Sequence, residues 1–358
     1  MHILHVIGAR PNFMKVAPVY RALQNRPSVQ QTLVHTGQHY DFNMSDVFFQ
    51  QLDIPAPDIN LQVGSGSHAQ QTAEIMMRLE RVLLERRPDW VLVYGDVNST
   101  VAAALVCSKL LIKIAHVEAG LRSGDRTMPE EINRLLTDQI SDLLFTPSED
   151  GDRNLLREGV GEEKIRFVGN VMIDTLIRML PQAKASIPAG SPERFILVTL
   201  HRPANVDDSG WLTSVLTELK GISAQIPVIF PIHPRTRQRL KDAGINPADL
   251  NGINLSEPKP YLEFLGLQTR ATAVVTDSGG IQEETTYLGT PCITMRENTE
   301  RPVSIDIGTN ILVGRGPERM RAELQKILHG QPRRKGSIPP LWDGHAAERI
   351  ADILVNYK

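Results

Sequence analysis

The 358-residue chain predicts an α/β protein made of two doubly wound domains facing each other across a cleft. Three observations carry this expectation. Short apolar, β-branched runs alternate with helical segments along nearly the whole length, the order in which parallel sheets are built. Near residues 180–193 the alternation stops at PQAKASIPAGSPE, whose prolines and small residues read as a linker. The length also exceeds the usual domain of about 100 to 200 residues.

In order, the apolar run 3–7 is the first strand, followed by a helix at 16–24 and a strand at 32–34. A helix at 44–52 precedes a loop rich in Pro, Asp and Gly that ends in Gly64-Ser-Gly-Ser. The long helix 69–87 is stopped by Pro88 ahead of the strand 90–94. The pattern then repeats as helix 100–110, strand 114–117, helix 130–140, strand 143–145, helix 149–157 and strand 165–168. Beyond the linker, strands are expected at 195–199, 228–230, 253–255, 273–276, 292–294 and 311–313, with helices between most of them. The expected domains are 1–180 and 181–345, with the closing helix in 346–358 available to complete the first. No repeat of solenoid period is present.

Composition narrows the function. The 39 basic and 41 acidic residues nearly cancel, so no field favours nucleic acid, and small molecules or protein are the expected partners. The first apolar run ends at Gly8, too short for a signal core, and no apolar stretch approaches membrane-spanning length, so a cytoplasmic protein without membrane contact is expected. Cys107 and Cys292 sit in apolar segments and read as buried thiols.

Open parallel sheets bind ligands beyond the carboxyl ends of their strands, so the residues after each strand matter most. After the first strand come Gly8, Arg10 and Lys15; after the strand at 90–94, Gly95-Asp96; after 114–117, Glu118-Ala-Gly. In the second half these positions hold His201-Arg202, His233 and Asp277-Ser278-Gly279-Gly280. The two adjacent glycines open a helix whose free N–H groups suit an anion, with side-chain capping by Asp277 or Ser278 as the competing reading. Two carboxylates are expected in that helix's first turn, over 282–287. Arg10 and Lys15 read as anion contacts. Glu118, between Val117 and Ala119, has no local capping role, which points to proton transfer. Glu130 and Glu131 after Pro129 suit a helix start on dipole grounds alone. His201 beside Arg202 suits a phosphate contact or acid/base role. The Gly64-Ser-Gly66 stretch matches a dinucleotide pattern only formally, Asp150-Gly-Asp152 reads as helix capping, and no histidine has metal-ligand spacing, so no metal is indicated.

Taken together, Gly8-Ala-Arg-Pro with Lys15, HTGQH from His35, YGDVNST from Tyr94, HVEAGLRSGD from His116, PEEINR from Pro129, HRPAN from His201, DSGGIQEE from Asp277 and TERP from Thr299 resemble the non-hydrolysing UDP-N-acetylglucosamine 2-epimerase family. The resemblance runs from the first strand to about Gly314, in the same order. It implies a GT-B-type fold of two Rossmann-like domains, a homodimer, no cofactor, and reversible conversion of UDP-GlcNAc to UDP-ManNAc. The implied chemistry eliminates UDP to give 2-acetamidoglucal, then adds UDP back with C2 protonated from the opposite face. Carried over by motif, Asp96, Glu118 and Glu130 are the proton-transfer or oxocarbenium-stabilising carboxylates. His201, Arg10 and the Ser278-Gly279-Gly280 amides hold the diphosphate; Glu284 and Arg301 take ribose and phosphate; Lys15 and Arg134 join the substrate-binding set; and Phe264 lies on the uracil side.

The sequence departs from the family pattern in a short segment between Glu118 and Pro129 and in Ala204, where many members carry Glu. The HTGQHYDFNMSDVFF region is at least as similar to relatives acting on C3-acetamido uronic-acid sugar nucleotides, which gives an alternative substrate. A GT-B glycosyltransferase, a non-catalytic UDP-sugar sensor and a hydrolysing epimerase are rival readings of the same motifs.

Overall fold

The structure is a computed structural model, and it describes residues 1–38, 51–246, 250–331 and 336–357. The chain divides into two compact units, Met1–Thr175 with Pro340–Lys358, and Leu176–Pro339.

The first unit is a seven-stranded parallel sheet in the order β3-β2-β1-β4-β5-β6-β7. Its strands are β1 His2–Ile7, β2 Gln30–His35, β3 Ile59–Asn60, β4 Trp90–Tyr94, β5 Lys113–Val117, β6 Leu143–Thr146 and β7 Ile165–Phe167. The second unit is a six-stranded parallel sheet in the order β10-β9-β8-β11-β12-β13. Its strands are β8 Ile196–Thr199, β9 Val228–Pro231, β10 Ile253–Ser256, β11 Ala273–Thr276, β12 Cys292–Thr294 and β13 Asn310–Leu312.

Both sheets wind outward from their first strand and then reverse, so the reversal falls between β1 and β4 in one and between β8 and β11 in the other. Such a switch point opens a crevice beyond the strand ends. The central strands are buried on both faces, which explains why they read as unbroken apolar runs. Leu4, Val6, Val91 and Val93 pack under Leu79, Leu83, Ala103 and Val106 in the first unit. Ile196, Val198, Phe230 and Val275 pack under Trp211, Leu212, Val215 and Leu219 in the second.

Several expectations shift. The first helix is Arg10–Gln24, earlier than expected, because Pro11 occupies a first-turn position where its missing N–H costs nothing. The linker is shorter than expected, since helix Val171–Ala185 continues through Pro181. Burial of Leu176, Met179 and Ala183 along one face outweighs the hydrogen bond that the proline removes. The helix after β11 begins at Gly279, so no carboxylate lies in its first turn. Most of the helix expected at 44–52 lies outside the described residues.

The closing helix Ala346–Val355 belongs to the first unit and packs on helix Arg10–Gln24. Its start is held by Asp174, whose carboxylate accepts from Ala346 N at 3.2 Å and Ala347 N at 2.7 Å. Among the described residues no helix is long and apolar enough to cross a membrane.

Candidate active site

The first unit gathers most of its candidate side chains at the ends of β1, β4 and β5. Asn12, at the third position of helix Arg10–Gln24, fixes the β1 loop: its Oδ1 accepts from Gly8 N and Ala9 N, and its Nδ2 donates to Tyr94 O at 2.8 Å. Gly95 follows at φ +63°, and a Cβ there would lie 2.5 Å from Lys15 Nζ. Only glycine meets both demands, and the space it leaves is filled by Lys15.

Lys15 Nζ in turn sits 2.8 Å from Glu118 Oε2, both side chains more than nine-tenths buried. Glu118 has φ +74°, uncommon for a non-glycine residue, and its backbone N donates to Phe145 O at 3.1 Å. The turn therefore aims the carboxylate off the sheet edge and into the lysine.

Asp96 is held by Arg134, whose Nη2 donates to Asp96 Oδ2 at 2.5 Å and whose Nη1 donates to Glu131 Oε2 at 2.7 Å. Glu131 also accepts from Ser123 N and Gly124 N, closing the 121–128 segment onto helix Pro129–Ile140. Burial works to raise the Glu131 carboxyl, but hydrogen bonds from Ser123, Gly124 and Arg134 outweigh it and hold it below the usual carboxylate range. Glu131 is thus a buried structural carboxylate, while its neighbour Glu130 faces a cavity.

That cavity, about 310 Å³, is lined by Asp96, Glu130, Asn98, Asn133, Gln38, Gln71, His68 and the Ser65-Gly66 turn. Its polar walls are tied together: Asn98 Nδ2 donates to Gln71 Oε1 at 2.8 Å, Ser99 Oγ to Gln38 Oε1 at 2.7 Å, and Asn133 Nδ2 to Asp96 O at 2.9 Å. Asp96 and Glu130 both line it, with Arg134 reaching it only through Asp96; Lys15 and Glu118 form a separate pair outside its lining. The side chain of Arg10, and His39 of the HTGQH stretch, lie outside the described residues.

In the second unit Asp277 is fully buried and does not cap its helix. Its carboxylate accepts from His201 N, Arg202 N at 3.0 Å and Asn205 Nδ2 at 3.1 Å, so it folds the HRPAN loop beside β11. His201 keeps a partly exposed ring whose Nδ1 is 3.3 Å from Asp277 Oδ1. Ser278 makes no side-chain cap bond. The helix therefore starts without the capping side chain that would compete with an anion for the N–H groups of Gly279 and Gly280.

Arg301 lies against that start, its Nη1 2.5 Å from where a Gly279 Cβ would sit. It pairs through Nε with Glu283 at 2.9 Å and through Nη1 with Glu300 at 2.5 Å. Arg296 adds a contact to Glu300 at 2.8 Å. Glu284 accepts from Tyr261 Oη at 3.0 Å and Gln268 Nε2 at 2.6 Å, and burial raises its carboxyl above the ordinary range despite both bonds. Phe264, one turn after Tyr261, is half-buried on the cluster of Phe195, Leu197 and Leu267. Among the described residues no three His, Cys, Asp or Glu side chains form a metal-ligand group.

Sequence reasoning missed Asn12, Asn98, Asn133, Asn205 and Arg296, and read Glu131 only as a helix-start carboxylate. The asparagines act through partners distant in sequence or through backbone groups, which motif reading does not reveal, and Arg296 pairs with Glu300 in a loop without periodicity.

Residues 21–355 match the family described as UDP-N-acetylglucosamine 2-epimerase. The chain is 44% identical over 364 residues to the UDP-N-acetylglucosamine 2-epimerase of Methanococcus maripaludis, covering 99% of this chain and 98% of that protein. It is 43% identical over 361 residues to the UDP-2,3-diacetamido-2,3-dideoxy-D-glucuronate 2-epimerase of Pseudomonas aeruginosa, covering 99% of each. It superposes on the crystal structure of Methanocaldococcus jannaschii UDP-GlcNAc 2-epimerase in complex with UDP-GlcNAc and UDP with a TM-score of 0.89 at 42% identity, covering 99% of both chains.

Proposed function

The chain belongs to the UDP-N-acetylglucosamine 2-epimerase family, a family of isomerases, and we propose that it interconverts UDP-GlcNAc and UDP-ManNAc by elimination and re-addition of UDP. The observation that carries the reading is the set of three carboxylates, Asp96, Glu118 and Glu130, gathered in one unit with a cation built onto two of them: Arg134 on Asp96 and Lys15 on Glu118.

The C2 hydrogen of the sugar has no carbonyl neighbour, so its direct removal is very unfavourable. Breaking the C1–O bond with departure of UDP, while a carboxylate takes the C2 proton, forms the C1=C2 bond of 2-acetamidoglucal. Return of UDP to C1 with a proton delivered to the other face of C2 completes the inversion. Acid/base groups must therefore serve both faces, and UDP must stay bound between the steps.

In this reading Asp96, Glu118 and Glu130 move protons or stabilise the oxocarbenium character at C1. Arg10, His201 and the Ser278-Gly279-Gly280 backbone hold the diphosphate, and Lys15 serves the substrate side through Glu118. Glu284 and Arg301 serve ribose and phosphate, and Phe264 the uracil. The helix start without a side-chain cap supports the phosphate role, and Arg134 keeps Asp96 oriented. The protein is read as a cytoplasmic homodimer; a monomer mass in solution would contradict the dimer.

The 43% identity to the Pseudomonas diacetamido-glucuronate enzyme favours a second reading, in which the substrate is that C3-acetamido uronate. Product identification by NMR with both UDP-sugars side by side tests the two. UDP-ManNAc from UDP-GlcNAc is expected. Turnover of the uronate alone would move the assignment to the second substrate, and no turnover of either would refute both.

A further inference from the structure

We propose that His116 and Asp138 form a buried positioning pair that holds the Asp96 and Glu118 turns in register, and that His116 does so with both ring nitrogens protonated. This rests on the reading of Asp96 and Glu118 as proton-transfer groups.

His116 lies on β5 and Asp138 on helix Pro129–Ile140, and neither side chain is exposed to solvent. His116 Nε2 is 2.7 Å from Gly95 O. A carbonyl oxygen only accepts, so Nε2 donates. On the other side His116 Nδ1 is 2.6 Å from Asp138 Oδ1.

Asp138 is an ionised acceptor. Its Oδ2 meets Arg122 Nη1 at 2.7 Å and accepts from Gly120 N at 3.1 Å. A guanidinium and a backbone N–H on the same oxygen both favour the charged carboxylate against its burial. Nδ1 therefore donates as well, and the ring is an imidazolium placed between two acceptors. A histidine serving only to fill the core needs one such partner; this one has two, and the pairing offsets the cost of burying its charge.

The backbone groups that the pair engages, one acceptor and one donor, lie at the two candidate turns. Gly95 O belongs to the residue before Asp96, and Gly120 N to the second residue after Glu118. Both turns leave the sheet through left-handed backbone, at Gly95 φ +63°, Glu118 φ +74° and Gly120 φ +80°, and the last ladder bonds, Gly95 N to Val117 O and Ala119 N to Phe145 O, stop short of Asp96 and Gly120. One buried carboxylate thus ties both: through the imidazolium to the Asp96 turn and directly to the Glu118 turn. The remaining charges around the pair are Arg122, itself held by Glu158, and the Lys15–Glu118 pair against Gly95. His116 and Asp138 are positioning residues, acting on the reaction through the turns they hold.

Two measurements on the full chain test this. The first is nitrogen-15 NMR of the ring nitrogens of His116 in the unsubstituted protein at neutral pH. Two N–H groups are expected, and one bare nitrogen would overturn the proposal. The second is Asp138→Asn, which keeps the shape but removes the anion. It is expected to lower kcat by roughly tenfold to a hundredfold, the scale of a misplacement near 1 Å, with KM and UDP affinity within about twofold. A folded Asp138→Asn protein with unchanged kcat, or one losing KM and UDP affinity as much as kcat, would overturn it. If the variant does not fold, the ring-nitrogen measurement decides. An unsubstituted protein that epimerises neither UDP-sugar would instead sink the functional reading, while the protonation result stands by itself.

Discussion

Glu118 is a buried carboxylate on left-handed backbone, and Lys15 neutralises it at 2.8 Å. Removing one partner of such a pair leaves an uncompensated charge, which costs about 3 to 5 kcal/mol. Lys15→Met is therefore expected to lower the unfolding free energy by roughly that amount in a denaturant titration, and adding Glu118→Gln should restore much of it. Equal stability of Lys15→Met and the parent would show that the pair is not closed in solution. For turnover, Asp96→Asn, Glu118→Gln and Glu130→Gln are each expected to lose about a hundredfold or more in kcat while UDP affinity changes less. Steady-state kinetics with UDP titration checks this, and near-normal turnover in all three would remove the proposed site. Asp96 and Glu118 were legible in the sequence because each directly follows an apolar strand. His116 was not, because a histidine inside a buried strand looks the same whether it has one polar partner or two. The alliance of Arg134 with Asp96 was hidden by their separation of 38 positions along the chain.

At the level of elements, the strands were the most legible part. Trp90–Tyr94, Ala273–Thr276 and Cys292–Thr294 stand where their apolar runs place them, since burial on both faces requires such runs. The two-residue β3 was beyond reach because so short a pairing leaves no pattern. The helix through Pro181 was misread as linker because its buried face shows only once packing is known. The start of the closing helix depends on Asp174, whose carboxyl burial lifts to about 6 against the two backbone bonds it accepts. A carboxyl raised above its unfolded value of about 3.9 contributes stability that is full below that value and is lost as pH rises through about 6. The loss is on the order of 3 kcal/mol. Asp174→Asn cannot ionise, so its unfolding free energy should lack this fall between about pH 4 and pH 7. Parallel pH curves for the two proteins would refute the assignment.

For the whole molecule, two sheets wound in the same order each bring their candidate residues to the strand ends beside the reversal point, β1 and β4 in one unit, β8 and β11 in the other. That architecture and the family were legible, because alternation and ordered motifs extend along most of the chain. The substrate was not, since both the UDP-GlcNAc and the diacetamido-glucuronate enzymes are about equally similar to it. In the proposed reading the carboxylates of the first unit separate an epimerase from a glycosyltransferase, because the nucleotide grip proposed around Gly279 would serve either. The most direct test is to incubate the protein with UDP-GlcNAc alone in deuterated water and follow C2 by NMR. The account predicts UDP-ManNAc carrying deuterium at C2 with no acceptor added. No turnover until an acceptor is supplied, or release of free ManNAc and UDP as the products, would contradict it.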